Sequence, residues 1–115
     1  MRILICVVVL LESAGSARAV DARKLLGYCK SPQGSEPRIY CLAYINGVAE
    51  TLSNLADLGG LTGSPCMPEG TTLGQMADVI VGYIASNPKE EDWPAAGTVG
   101  VALNKAWPAC NKQGK

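Results

Sequence analysis

Between Pro37 and Leu58 the apolar side chains return every three or four residues. Cys41, Tyr44, Ile45, Val48, Leu52, Leu55 and Ala56 fall on one face, while Asn46, Glu50, Ser53, Asn54 and Asp57 fall on the other. This period predicts an amphipathic helix. Pro37 suits its first turn, where a missing N–H costs nothing. Gly59-Gly60 ends it, because glycine accepts the left-handed conformation that closes a helix. A second stripe, Leu73, Met76, Ala77, Ile80, Tyr83 and Ile84, predicts another helix, with Val79 and Val81 widening the stripe and Gln75, Asp78 and Gly82 opposite. Thr72 and Gln75 fit a capping box at its start. Asn87-Pro88 stops it, since the residue before proline avoids the helical region.

Two weaker patterns flank these. Asp21 is placed to cap a short leading helix with Leu25, Leu26 and Tyr28 as its apolar contacts, ended by the loop Lys30 to Pro37. A last helix is predicted to begin at Trp93-Pro94 with Asp92 as N-cap. It carries Ala95, Val99, Ala102, Leu103 and Ala106 on its apolar face and ends at Trp107-Pro108. Gly97 and Gly100 are either places of close backbone approach or weak points, costing about 1 kcal/mol each against alanine. No stretch keeps the strand period for long. The expected architecture is all-α, a small disulfide-stapled bundle of about four helices.

The first residues follow a different rule. Arg2 precedes the apolar run Ile3–Leu11, which gives way to a polar segment ending Ala17-Arg18-Ala19. That arrangement predicts a signal peptide over residues 1–19, cut after Ala19, since signal peptidase accepts small side chains one and three residues before the bond. The run is about half the ~20 residues a membrane span needs. Its removal leaves residues 20–115 as one domain and reduces ten basic and ten acidic residues to eight and nine. Bulk charge therefore draws neither nucleic acid nor an anionic membrane.

Cleavage also removes Cys6, so five cysteines become four: Cys29, Cys41, Cys66 and Cys110. In an oxidising compartment these read as two disulfides. Sequence alone leaves three connectivities open. If successive helices run antiparallel, Cys29 and Cys41 share one end of the bundle and Cys66 and Cys110 the other, which predicts Cys29–Cys41 and Cys66–Cys110.

The chain has no histidine, the commonest general base and metal ligand. With its cysteines oxidised it offers no thiolate and no zinc site. It has no glycine-rich phosphate loop and no G-x-S-x-G turn. No cofactor and no metal are expected. Glu50 and Asp57 share a helix face about 10 Å apart, near the wide limit for an inverting glycosidase, but their polar neighbours read as a solvated surface. Glu90-Glu91-Asp92 reads as a charge cluster favourable at a helix N-terminus. Trp93 and Trp107 are candidate core anchors, and tryptophan is also a common interface anchor. These features favour binding over catalysis.

Taken in order, Gly27-Tyr28-Cys29, Cys41-Leu-Ala-Tyr44-Ile45-Asn-Gly47, Cys66-Met-Pro68, Gln75, Val79, Tyr83-Ile84, Asn87-Pro88, Ala95-Ala96, Val99, Ala102-Leu103 and Trp107-Pro108-Ala-Cys110 form a distinctive frame. It resembles the Rap/Tai family of type VI secretion amidase immunity proteins, over about Leu25 to Cys110. One departure is Ala109, where the cysteine is expected nearer the proline. The resemblance implies a periplasmic helical protein, often a homodimer. Its members bind a peptidoglycan amidase effector injected by neighbouring bacteria and block its active site, performing no reaction themselves. Two segments are candidate contact regions, because binding residues concentrate on loops held by rigid elements. They are the Leu58–Gly70 loop, with Gly59, Leu61, Thr62, Ser64 and Met67, and the Asn87–Trp93 turn, with Glu90, Glu91 and Trp93. The competing reading is a small periplasmic binding or stress-response module of chaperone type without a cognate toxin. A third, an enzyme using Glu50 and Asp57, is the weakest.

Export predicts two measurements together. The protein purified from its native compartment starts at Val20 by N-terminal sequencing, and it yields no free thiol to a thiol reagent under denaturing conditions.

Overall fold

The structure is a computed structural model and describes residues 19–59 and 64–108. Among the described residues there are four helices: α1 Ala22–Cys29, α2 Glu36–Asp57, α3 Leu73–Ser86 and α4 Ala95–Ala106. A single 3₁₀ turn, Pro88–Glu90, lies between the last two. The expected all-α bundle is what forms. Among the described residues the extended backbone amounts to one isolated bridge between Asp21 and Pro94.

Each helix starts where its sequence supplies a partner for free backbone donors. At α1 the Asp21 carboxylate accepts from the Lys24 N–H at 2.8 Å. At α2 the cap is Ser35, whose hydroxyl oxygen accepts from the Arg38 N–H, and Pro37 occupies the first turn as expected. At α3 the capping box is complete: the Gln75 N–H donates to Thr72 Oγ1 at 3.1 Å and the Thr72 N–H donates to Gln75 Oε1 at 2.8 Å. Gly59 closes α2 with φ +78°, donating to the Ala56 carbonyl. Asn87 closes α3, its side chain donating to the Tyr83 carbonyl at 2.8 Å.

The start of α4 differs from expectation. The helix begins at Ala95, no side chain caps it, and Asp92 turns instead to Arg23. The reason is tertiary. The Ala95 N–H is taken by the Val20 carbonyl at 2.8 Å, so the donor that an Asp92 cap was to satisfy already has a partner from the other end of the chain.

The core draws on all four helices. Leu25, Cys41, Ile45, Ala77, Ile80, Val99 and Leu103 are sealed from water. The α3 stripe packs as expected. The buried seam of α2 is Cys41, Ile45 and Ala49, about an eighth of a turn from the centre the apolar pattern suggested, given 3.6 residues per turn. Leu55 therefore lies on the flank, 41% exposed, and Ala49 takes its place inside. In α4, Thr98 joins the core with its hydroxyl bonded to the Pro94 carbonyl, whereas Ala106 is exposed in the last turn. Trp107 packs against the core, but Trp93 is 48% exposed and is no core anchor. A Cβ on Gly97 would meet nothing within 4 Å, and one on Gly100 would make an ordinary contact with Leu52. Neither glycine is demanded by packing.

The Cys29–Cys41 disulfide is present, with a Cα–Cα separation of 5.1 Å. It ties α1 to the second turn of α2, reinforced by the Arg38 guanidinium, which donates to the Cys29 carbonyl. Cys66 is also disulfide-bonded. Its N–H donates to the Trp107 carbonyl at 3.1 Å, placing it beside the C-terminal end of α4. Its expected partner Cys110 lies outside the described residues.

Replacing Cys29 and Cys41 together by alanine should lower the unfolding free energy by about 3 kcal/mol, the chain-entropy value for a loop of roughly this length. Equilibrium denaturation with the remaining cysteines oxidised measures it. Thr72→Ala should cost about 1 kcal/mol by the same measurement, through loss of the N-cap.

Candidate partner-binding site

The sequence nominated two loops, and α3 separates them. The segment around Ser64–Gly70 leads into its N-terminus, and the Asn87–Trp93 turn leaves its C-terminus. Fourteen helical residues span about 21 Å, so the two do not form one epitope. Gly59 is exposed, Ser64 is half-buried, and Met67 packs against the core. Leu61 and Thr62 lie outside the described residues.

The Asn87–Trp93 turn is held in place by α1. The Ala22 N–H donates to the Trp93 carbonyl and the Arg23 N–H to the Glu91 carbonyl, both at 2.9 Å. With the Lys24 N–H bonded to the Asp21 carboxylate, the first three N–H groups of α1 all have partners, and the Leu25 N–H makes the first internal bond of the helix, to the Asp21 carbonyl. Arg23 closes the arrangement: Nε lies 3.1 Å from Glu91 Oε2 and Nη1 3.1 Å from Asp92 Oδ1. The hydrogen bond to Glu91, with the charges of Asp92 and Glu91, raises the Arg23 pKa above its ordinary value. Glu90 accepts the Tyr83 hydroxyl at 2.6 Å. That bond, first, and then burial and the Glu90 charge hold the Tyr83 pKa above its ordinary value. The acidic triplet therefore does not serve the helix terminus, as the sequence suggested, but locks the turn to α1 and α3.

Trp93 is the product of this lattice. Its N–H donates to the Glu90 carbonyl, its carbonyl accepts from Ala22, and its indole stands half in solvent. An exposed indole on an ordered backbone gives up little conformational freedom on binding.

Two further features were missed by the sequence reading. A cleft of about 400 Å³ lies beside the other loop, lined among others by Glu69, Asp78 and Trp107. A shallow groove of about 530 Å³ runs between α2 and α4, over Ala43, Tyr44, Gly47, Val48, Leu52 and Ala96. Tyr28 meets Tyr40 edge-on at 4.9 Å, and Tyr40 stacks on Tyr44 at 6.0 Å, at the head of this groove. Burial, then the neighbouring Tyr40, raises the Tyr44 pKa. The signal was the four-residue spacing of Tyr40 and Tyr44, which puts both on one face. Glu50 accepts from Asn46 at 3.2 Å on an exposed surface, and Asp57 is exposed as well. Among the described residues no three His, Cys, Asp or Glu side chains cluster as metal ligands.

A family model described as Rap1a immunity proteins matches residues 21–110. The chain belongs to this family. The match covers all four described helices and includes Ala95 of the Val20–Ala95 junction but not Val20. No curated protein and no solved structure matches the chain. Membership of the Rap1a family makes this an immunity protein with a cognate effector as its partner. None of the described helices is long and apolar enough to cross a membrane.

The raised Tyr83 pKa fixes the sign of a pH effect. A group whose pKa rises on folding stabilises the fold below its unfolded pKa, and the contribution is lost as pH climbs through the folded value. Stability should therefore fall above about pH 10. Tyr83→Phe should reduce that alkaline loss while lowering stability modestly at neutral pH, measured by melting temperature against pH.

Proposed function

We propose that this Rap1a-family protein is a periplasmic inhibitor of a type VI secretion peptidoglycan amidase, protecting the cell wall from an effector injected by neighbouring bacteria. In this reading the leader is removed after Ala19, the oxidised domain of residues 20–115 folds in the periplasm, and it acts as a homodimer. It performs no reaction. It occupies the effector and keeps substrate out.

The observation that carries the reading is Trp93. A tight inhibitor presents a few buried-on-binding anchors, commonly Trp, Tyr or Arg, on a surface already ordered before binding. Trp93 has that exposure, and its backbone is fixed on both sides. Around it the half-buried Glu90 and Glu91 and the exposed Asp92 stand beside the exposed Lys89 and Arg23, the last paired with Glu91 and Asp92, so the rim is charged and polar, as interface rims commonly are.

The test is direct. The purified, oxidised domain is mixed with the amidase encoded beside it, and peptidoglycan hydrolysis is followed. Wild type should abolish hydrolysis near equimolar ratio. Trp93→Ala should weaken inhibition about thirtyfold or more, the hot-spot range of 2 kcal/mol and above, with the melting temperature little changed because the indole is outside the core. Unchanged hydrolysis at a large excess of wild type overturns the assignment of the amidase as target.

A further inference from the structure

The Cys29–Cys41 disulfide and the Trp93 turn sit at opposite ends of α1. This helix has eight residues and is about 12 Å long. Helices shorter than about 12 to 15 residues are marginal by themselves in water, so its hold on the bundle is tertiary. Leu25 is its one large side chain sealed from water, with Ala22 and Cys29 buried on either side. Its C-terminal end is fixed to α2 by the disulfide and by the Arg38 guanidinium, which donates to the Cys29 carbonyl. Its N-terminal end gives the Ala22 and Arg23 N–H groups to the Trp93 and Glu91 carbonyls.

The turn has two halves with different supports. The first is held by near neighbours: the Glu90 N–H donates to the Asn87 carbonyl, and the Tyr83 hydroxyl donates to the Glu90 carboxylate. The second, from Glu91 to Ala95, is held by residues 20–23. The Glu91 and Trp93 carbonyls, the Asp92 carboxylate and the Ala95 N–H all bond to that segment. Within the turn the Trp93 backbone makes one bond, from its N–H to the Glu90 carbonyl at 3.0 Å. Release of α1 therefore takes away the outside support of the backbone that carries the indole.

We propose that formation of the Cys29–Cys41 disulfide is the step that orders the Trp93 face, so that the oxidised chain binds its partner well and the dithiol chain binds it weakly. The proposal rests on the Trp93 reading above and adds its control. The chemistry is a two-electron exchange. The Cys29 and Cys41 thiols lose two electrons and two protons and join Sγ to Sγ, and a disulfide oxidant accepts both and leaves as two thiols. In the dithiol chain, residues 30–35 alone join α1 to α2 covalently. The disulfide closes a loop with a sequence separation of 12, and closing a loop of that size disfavours the open chain about a hundredfold. That constraint acts on α1 and passes, through the bonds of its first turn, to Glu91, Trp93 and Ala95. Coupling between two places needs an element with two arrangements; here they are α1 docked and α1 released. Cys29 and Cys41 are 3% and 0% exposed, so the finished link is sheltered from reductants and the device runs in one direction.

The test compares the oxidised mature protein with its Cys29→Ala/Cys41→Ala variant by amide hydrogen exchange, well below both melting temperatures. The three amides of the junction, Ala22, Arg23 and Ala95, should exchange about a hundredfold faster in the variant. They should also outrun the buried α3 positions Ile80 and Ile84, which marks a local release. Junction amides that keep the wild-type rate overturn the proposal. So does junction exchange no faster than at Ile80 and Ile84, since the link then supports only the bundle as a whole. Adding Gly27→Ala to the variant tests α1 as the lever. Gly27 is exposed and a Cβ there meets nothing within 4 Å, so the added helix propensity should slow Ala95 exchange about fourfold without any sulfur. No recovery at Ala95 also overturns the proposal. Against the amidase, the variant should inhibit at least tenfold more weakly than wild type, because the ordered fraction scales the apparent affinity. Equal inhibition by the two counts against the proposal in the same way. If the exchange pattern holds while wild type leaves the amidase active, the ordering of the turn by oxidation stands and the amidase reading falls.

Discussion

At one end of the bundle, two backbone segments seventy residues apart supply each other's missing hydrogen-bond partners. Val20 lends its carbonyl to the first N–H of α4, and the carbonyls of Glu91 and Trp93 receive the first two N–H groups of α1. A helix end buried without partners is costly, and neither helix has enough local chemistry to finish its own terminus. α1 and α4 are thereby fastened together. The side-chain pairs of Arg23 with Glu91 and Asp92 add little on an exposed surface.

The described residues present ordered surfaces on a disulfide-tied scaffold. The disulfide-bonded cysteines offer no thiolate, and the sequence has no histidine. What remains is a scaffold whose surfaces differ in kind: an ordered acidic turn displaying Trp93, and a neutral groove displaying tyrosines. Charge steers encounter with a charged cleft, whereas the groove has no charged lining residue to do so.

Much of the fold was readable along the chain because its signals are local. The Thr72–Gln75 box, the Asn87-Pro88 stop, the Gly59 terminator and the stripe from Met76 to Ile84 each act within one or two turns, and each appears as expected. The Cys29–Cys41 pairing followed from helix order alone. The site was less legible. Asp92 looked like a cap and Trp93 like a core residue, because both roles are common for those side chains near a helix start. The residues that redirect them, Val20 and Arg23, are far away in sequence.

By itself the sequence determined which segments are helical, where they stop, and that Cys29 lies near Cys41, because capping, proline geometry and apolar period are decided by neighbours a few residues away. The tertiary structure alone decided that α4 starts at Ala95, that the acidic triplet locks a turn, that Trp93 faces solvent, and that α2 and α4 leave a neutral groove. Those outcomes depend on hydrogen bonds and packing between distant segments. A side chain's environment follows from what folds against it, and no local pattern encodes that.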